Sequence, residues 1–418
     1  MRAGVGAPAL ATVLVLTGCG TRAASTTGVG SPSQTAARSQ AALLRSATTP
    51  RDVAISSSRA VDRSSTAQPS GAPSPSVGTS PGTVAATSPA TPVSPAALPF
   101  TVLASWPVPG RTLALISRGG SVYRLSQDFA DTGFSQPATL TRLDAVTGKD
   151  LAHRQFTGVH GASALVSGVW VAADLGPDQP SRLYQLDPGD LSTVLVIEVP
   201  HTGELPADQA EGLDGQPVAA GGWIWVSFGR HFRAYSPTNG HLQVDLTEPA
   251  GLQAGALGAS SDGTRLWTAA WDPANPVAPV QERDATTGAV LASGTTRATA
   301  FVAAGPVMWT ALHGGMMQEL ARIRADGTTI PDAVPAGDDT FLPQLGFRVV
   351  NTILWVTGVY TLECADPQTG HVRQRLTVTS PGYNFPTQLP AGHMLIEQTT
   401  AGENTKLLTV TPNANCVG

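Results

Sequence analysis

The chain has 418 residues, with 44 glycines and 34 prolines but only 13% charged residues. That composition argues against long helices and for short strands joined by many turns. The net charge is −5 and Lys149 and Lys406 are the only lysines, so composition gives no basis for nucleic-acid binding.

Residues 1–19 read MRAGVGAPALATVLVLTGC. Arg2 forms a short basic n-region and Ala9 to Leu16 a largely apolar h-region, too short for the roughly 20 residues that a membrane-spanning helix needs. Leu16-Thr17-Gly18-Cys19 resembles the bacterial lipobox. The resemblance implies cleavage after Gly18 and diacylglycerol on Cys19, which anchors the chain at the outer leaflet of the cytoplasmic membrane. The alternative is an ordinary secretory signal.

Residues 19–97 contain no aromatic residue and are dominated by Ser, Thr, Ala and Pro. Such a stretch buries too little apolar surface to offset its ordering entropy, so it reads as a disordered tether. As a flexible coil its ends lie on the order of 50 Å apart. Asp52 and Asp62 face six arginines, which makes the tether mildly basic.

From Leu98 onward the aromatics return, in units of about 40 to 50 residues. Each unit is marked first by a strand with a central Trp: GVWVAAD (Trp170), WIWVSFG (Trp225), RLWTAAW (Trp267), VMWTALH (Trp309) and ILWVTGV (Trp355). Apolar residues on both sides of the Trp suit a strand buried between two layers. The second marker is a polar strand end closed by a turn: RLDAVTG, QLDPGD, AYSPTNG, ERDATTG, IRADG and ECADPQTG. Asp or Ser can hold backbone amides inside such a turn while Gly takes the positive φ.

Six units begin near Arg111, Ala162, Gln216, Gly255, Ala298 and Phe341. A seventh supplies only three strands before the chain ends, and FTVLASWPV at Phe100 to Val108 supplies the fourth. The expected fold for residues 98–418 is therefore an all-β, seven-bladed β-propeller, with an N-terminal strand closing the last blade. The Trp strand and the D-x-x-T-G turn resemble the bacterial propellers of the YVTN, quinoprotein and streptogramin-lyase type. That resemblance implies a fold and no particular activity.

No GxSxG elbow, HExxH, P-loop or dinucleotide fingerprint is present in a suitable context, so no catalytic residue, metal site or cofactor is assigned. The five aligned tryptophans read as packing between blades. Trp223 and Trp271 lie off that register, and Trp271 is the better candidate for an exposed contact. Cys364 and Cys416 have no zinc or redox spacing; in an extracytoplasmic protein they are expected to form a disulfide that pins the C-terminal tail near the closure, the alternative being two free thiols.

The b–c and d–a connections of a propeller share one face, and here they carry Asp174, Glu204, Asp208, Asp214, Asp272, Asp338 and Asp339, with His313 close by. Together with Trp271 these are the candidate ligand-binding residues. The leading expectation is a membrane-tethered binding or scaffold lipoprotein whose loop face recognises a protein or small molecule. The alternative is a metal-assisted lyase or hydrolase acting at the pore.

Overall fold

The computed structural model describes residues 98–128, 137–165, 167–175, 179–204, 212–272, 275, 277–314, 317–324, 326–334, 346–358, 361–377, 382–400 and 404–417. The signal peptide, Cys19, the tether, Asp208, Asp338 and Asp339 lie outside them. The described strands form seven four-stranded antiparallel sheets.

The first strand, β1 (Phe100–Val108), pairs far from its sequence neighbours. Blade 1 is β2 (Arg111–Arg118), β3 (Ser121–Gln127), β4 (Pro137–Asp144) and β5 (Asp150–Thr157). Blade 2 is β6 (Val159–Leu165), β7 (Gly168–Ala173), β8 (Ser181–Leu186) and β9 (Thr193–Val199). Blade 3 is β10 (Leu213–Ala220), β11 (Trp223–Phe228), β12 (His231–Tyr235) and β13 (Leu242–Thr247). Blade 4 is β14 (Gln253–Ala259), β15 (Arg265–Trp271), β16 (Ala278–Asp284) and β17 (Val290–Thr296). Blade 5 is β18 (Ala298–Ala304), β19 (Val307–Gly314), β20 (Met317–Ile323) and β21 (Thr329–Val334). Blade 6 is β22 (Phe347–Val350), β23 (Ile353–Thr357), β24 (Thr361–Ala365) and β25 (Val372–Thr377). Blade 7 is β26 (Gly382–Gln388), β27 (Met394–Thr400), β28 (Asn404–Pro412) and β1. Inner strands β2, β6, β10, β14, β18 and β22 each pack on the next, and β26 packs on both β22 and β2 to close the ring.

Blades 2, 3 and 4 begin two or three residues before the expected starts, at Val159, Leu213 and Gln253. His160-Gly161, Asp214-Gly215 and Gly255 interrupt the apolar run just after those strands begin, so the run alone locates their middles.

At two junctions the two sequence markers are halves of one interaction. Trp170, Trp225, Trp309 and Trp355 are fully buried in the second strand of their blades. Trp225 Nε1 donates to Ala285 O at 3.2 Å, and Trp309 Nε1 donates to Pro367 O at 2.7 Å. Each acceptor follows the Asp of the next blade's c–d turn. In blade 1 Tyr123 takes the same position, and its hydroxyl donates to Pro188 O at 2.8 Å. The turn itself is shaped by its Asp: Asp284 Oδ1 accepts the amides of Thr286 and Thr287 at 3.1 and 2.9 Å and the Thr287 hydroxyl at 2.8 Å. Asp144 and Asp366 repeat this geometry, and Gly148, Gly288 and Gly370 close the turns at φ 69, 73 and 77°. In blade 2 the closing residue is Leu191 at φ 62°; it is 1% exposed, and burial in the core between blades 1 and 2 offsets the strain.

Blade 7 is assembled from both ends of the described chain. β1 pairs antiparallel with β28 from Phe100 opposite Pro412 to Val108 opposite Thr405, with one bulge after Val102. Its outer strand is not joined to β28 by a hairpin, so the seventh blade has no c–d turn to cover Trp355. Among the described residues the buried Trp355 Nε1 has no hydrogen-bond partner. The space is taken by α1 (Ala414–Val417), a single helical turn after β28. Cys416 in α1 is disulfide-bonded to Cys364, the residue directly across β23–β24 from Trp355. Arg373 adds a clamp, donating to Cys416 O at 2.6 Å and to Asp366 Oδ2 at 2.7 Å. A cross-link spanning 52 residues restricts the unfolded chain by about 4 kcal/mol in the chain-entropy treatment.

On the other side of blade 7, Arg124 donates to Pro109 O and Gly110 O at 2.7 and 2.8 Å and to Thr112 Oγ1 at 2.7 Å. The Thr112 hydroxyl passes the chain on to Glu397 Oε2. Gly110, at φ 68°, admits no side chain, because a Cβ there would lie 2.2 Å from Gln127 O. Burial pushes the Glu397 carboxyl above its usual 4.5, against the pull of Thr112 and Arg124, and burial lowers Arg124 to about 10.

This packing has two measurable outcomes. Trp309→Phe strands the Pro367 carbonyl, whereas Trp355→Phe removes an N–H with no acceptor; urea titration should find the first costlier by about 1–3 kcal/mol. A carboxyl with a raised folded pKa contributes fully below the usual 4.5 and loses that contribution as pH rises through its folded value. Glu397→Gln removes this titration. The stability of wild type relative to Glu397→Gln should therefore fall as pH rises from the usual 4.5 toward the raised folded value.

Candidate functional site

In an antiparallel four-stranded blade the b–c and d–a connections emerge together, opposite the a–b and c–d turns. The sequence-derived candidates in the described residues all belong to that first face. Asp174 follows β7, Glu204 lies between β9 and β10, Asp214 is in the opening of β10, Trp271 and Asp272 end β15, and His313 is near the end of β19. Asp214 and His313 are placed by backbone alone.

These residues are not gathered into one cluster. Asp174 is drawn against two glycines. Its amide donates to Gly158 O at 2.6 Å, and a Cβ on Gly212 would lie 2.2 Å from its Oδ2. Glu204 is engaged by blade 3: Oε2 lies 3.2 Å from Arg230 Nη1 and 3.3 Å from His231 Nε2. His231 is buried, and its Nδ1 is 2.7 Å from Asp245 Oδ1. Arg233 Nε donates to Asp245 Oδ2 at 3.2 Å, its Nη1 donates to Pro200 O at 3.3 Å, and its guanidinium lies over the Phe228 ring.

Blade 3 thus carries a mixed-charge cluster of Glu204, Arg230, His231, Arg233 and Asp245 that fastens residues 200–204 to the sheet. Of these, only Glu204 stood out in the sequence. The available signal was the alternation Arg230-His231-Phe232-Arg233, which places His231 and Arg233 on one side of β12, opposite Thr247 and Asp245 of β13.

Trp271 is different in kind. It is 51% exposed, whereas Trp170, Trp225, Trp309 and Trp355 are fully buried. The b–c hairpin of blade 4 adds Val277, 37% exposed, and half-buried Asp272. Within that connection the Asn275 amide donates to Asp272 O at 3.2 Å and its Oδ1 accepts the Val277 amide at 3.1 Å. The exposed Trp271 and Val277 thus flank the same b–c connection, with the half-buried Asp272 directly after the indole. Among the described residues no three His, Cys, Asp or Glu side chains converge as a metal-ligand set.

Grooves also lie elsewhere among the described residues. One, of about 600 Å³, runs between Pro107–Gly110 and the outer strands of blade 1, past Arg124, Thr141 and His153. Another, of about 670 Å³, separates blades 4 and 5 on the a–b/c–d face.

No protein-family model matches the chain, and no curated protein matches it. Among solved structures 1022 chains match, a breadth that belongs to a widely shared fold rather than to one activity. One is the crystal structure of Raptor from Chaetomium thermophilum, with a TM-score of 0.53 and 12% identity. The match covers 76% of this chain and 29% of that one, so this chain spans well under half of that protein's length. At that identity the likeness shows the propeller fold alone.

Glu204 is part-exposed and its pairs are partly screened. Glu204→Gln should cost under about 1 kcal/mol globally, yet hydrogen exchange at residues 200–204 should quicken, because the charged tie to Arg230 and His231 is lost.

Proposed function

We propose that this chain is a lipid-anchored extracytoplasmic binding module. Diacylglycerol on Cys19 holds it at the membrane, residues 19–97 give it reach, and the b–c/d–a face of the propeller recognises a protein or small ligand. The lipobox-like Leu16-Thr17-Gly18-Cys19 supports the anchor. The rigid ring with irregular loops on one face is compatible with a binding or scaffold role.

The observation that carries the recognition face is Trp271. A half-exposed indole that flanks the same b–c connection as Val277 and directly precedes Asp272 has the amphipathic character of an interface anchor, in a chain that otherwise buries its aligned tryptophans. No observation among the described residues favours the pore lyase or hydrolase over this reading.

The anchor and the face are tested together in intact cells. A fatty-acid analogue should label the wild type and leave Cys19→Ala unlabelled. A photo-cross-linking residue at position 271 should give a discrete adduct that is missing when the same residue replaces Leu151 on the outer strand of blade 1. An unlabelled wild type contradicts the anchor, and equal adducts at both positions contradict the face.

A further inference from the structure

The groove between blades 4 and 5 sits at a junction that lacks the aromatic-to-turn contact present at three others. In blade 4 the c–d turn is closed by Asp284 N–H to Ala289 O at 2.9 Å and Gly288 N–H to Asp284 O at 2.8 Å. In blade 5 the corresponding bonds are Arg324 N–H to Thr328 O at 2.9 Å and Gly327 N–H to Arg324 O at 2.9 Å. The blade 5 turn is therefore one residue shorter, and Arg324 stands where the other turns have Asp or Ser.

The shorter turn also seats differently. Gly240 and Gly288 lie against aliphatic side chains of the preceding outer strand, Ile197 and Leu195 in one case and Leu246 and Val244 in the other. The blade 5 turn instead meets Gly294 backbone to backbone; a Cβ on Gly294 would lie 2.0 Å from Asp326 O.

The consequence falls on Trp267. Its ring is the blade 4 counterpart of Trp225 and Trp309, which give their indole N–H groups to the next blade's turn. Trp267 lines the open groove with Met308, Ile323 and Ile330, and among the described residues its Nε1 has no acceptor. Arg324 is exposed at the groove; the neighbouring carboxylate, Asp326 of its own turn, is held by the Thr328 amide and hydroxyl at 2.9 and 2.6 Å and forms no direct ion pair with it. Arg265 is only loosely held, 3.7 Å from Glu282. The nearby Asp262 is spent on its own turn, where the Ser260 hydroxyl, first, and then Thr264 lower it to about 2.

We propose that this groove docks an acidic peptide turn of a partner protein. Three sister interfaces display what fills the equivalent space: a turn carbonyl over Trp225, Trp309 or Tyr123. A docking turn would supply the acceptor for Trp267, an aliphatic or methyl side for Met308 and Ile323, and a carboxylate for Arg324. This face is opposite the loop face, so docking here is independent of whether Trp271 is an anchor.

The probe is a backbone-cyclised peptide with the sequence of residues 284–289, whose only charge is the aspartate, titrated into the full-length chain with 15N-labelled tryptophan indoles. Trp267→Phe identifies the resonance. The Trp267 indole signal should move saturably. Replacing the peptide's aspartate by asparagine, or Arg324 by Glu, should weaken binding at least tenfold; Arg324 is exposed, so the variant folds. Replacing residues 324–327 by the five residues Asp-Ala-Thr-Thr-Gly should fill the groove and abolish the shift. A Trp267 signal unmoved at millimolar peptide overturns the proposal, as does binding indifferent to Arg324→Glu and to the turn replacement.

Discussion

The antiparallel pairing of β1 with β28 is the constraint on which the ring depends. A propeller blade buries its faces only against two neighbours, so a ring with one incomplete blade exposes strand edges and two apolar faces at once. Here the outer strand of the seventh blade comes from residues more than 290 positions earlier in sequence. The pairing is reinforced at both ends. Asn413 N–H donates to Pro99 O at 3.0 Å, and Arg124 gathers the carbonyls of Pro109 and Gly110 where β1 passes into blade 1. The Cys364–Cys416 bond then ties α1, just beyond β28, to blade 6.

Around the rest of the ring, one contact recurs at three junctions: an aromatic N–H or O–H from one blade meets a carbonyl in the Asp-led turn of the next. Trp170 of blade 2 donates instead to Ser167 Oγ of its own blade at 3.0 Å. Where the contact is absent, a specific substitute or a gap appears. At the junction of blades 6 and 7 the missing turn is replaced by α1, the disulfide and Arg373. At the junction of blades 7 and 1 the Thr409 hydroxyl donates weakly to Ala145 O, at 3.4 Å, and the Trp106 ring covers Gly148. At the junction of blades 4 and 5 nothing within the described residues replaces it, and a groove remains.

Most of this architecture was legible in the sequence because the two markers are strictly local: a Trp between apolar residues, and an Asp whose side chain closes its own turn. The seven-blade count came from the repeat, and the closure from a leftover strand at each end. The coupling between the markers was not legible, since it links residues about 60 positions apart whose side chains give no sign of the partner. Tyr123 escaped notice because a phenol replaces the indole. The blade 3 cluster escaped because Arg230, His231 and Arg233 look like an ordinary polar strand until β13 brings Asp245 alongside. The loop-face carboxylates were found as positions, but their environments depend on neighbouring blades: Glu204 is already paired, while Trp271 stays open to solvent.

The fold hinges on residues 98–109, and a pair of truncations tests this directly. The chain lacking residues 1–97 keeps β1, and the chain lacking residues 1–109 loses it. Thermal unfolding monitored by near-ultraviolet circular dichroism should show one cooperative transition for the first. The second should lose that transition, with blade 7 opened and its apolar faces exposed. Equal transitions for the two chains would contradict the closure and, with it, the dependence of the ring on β1.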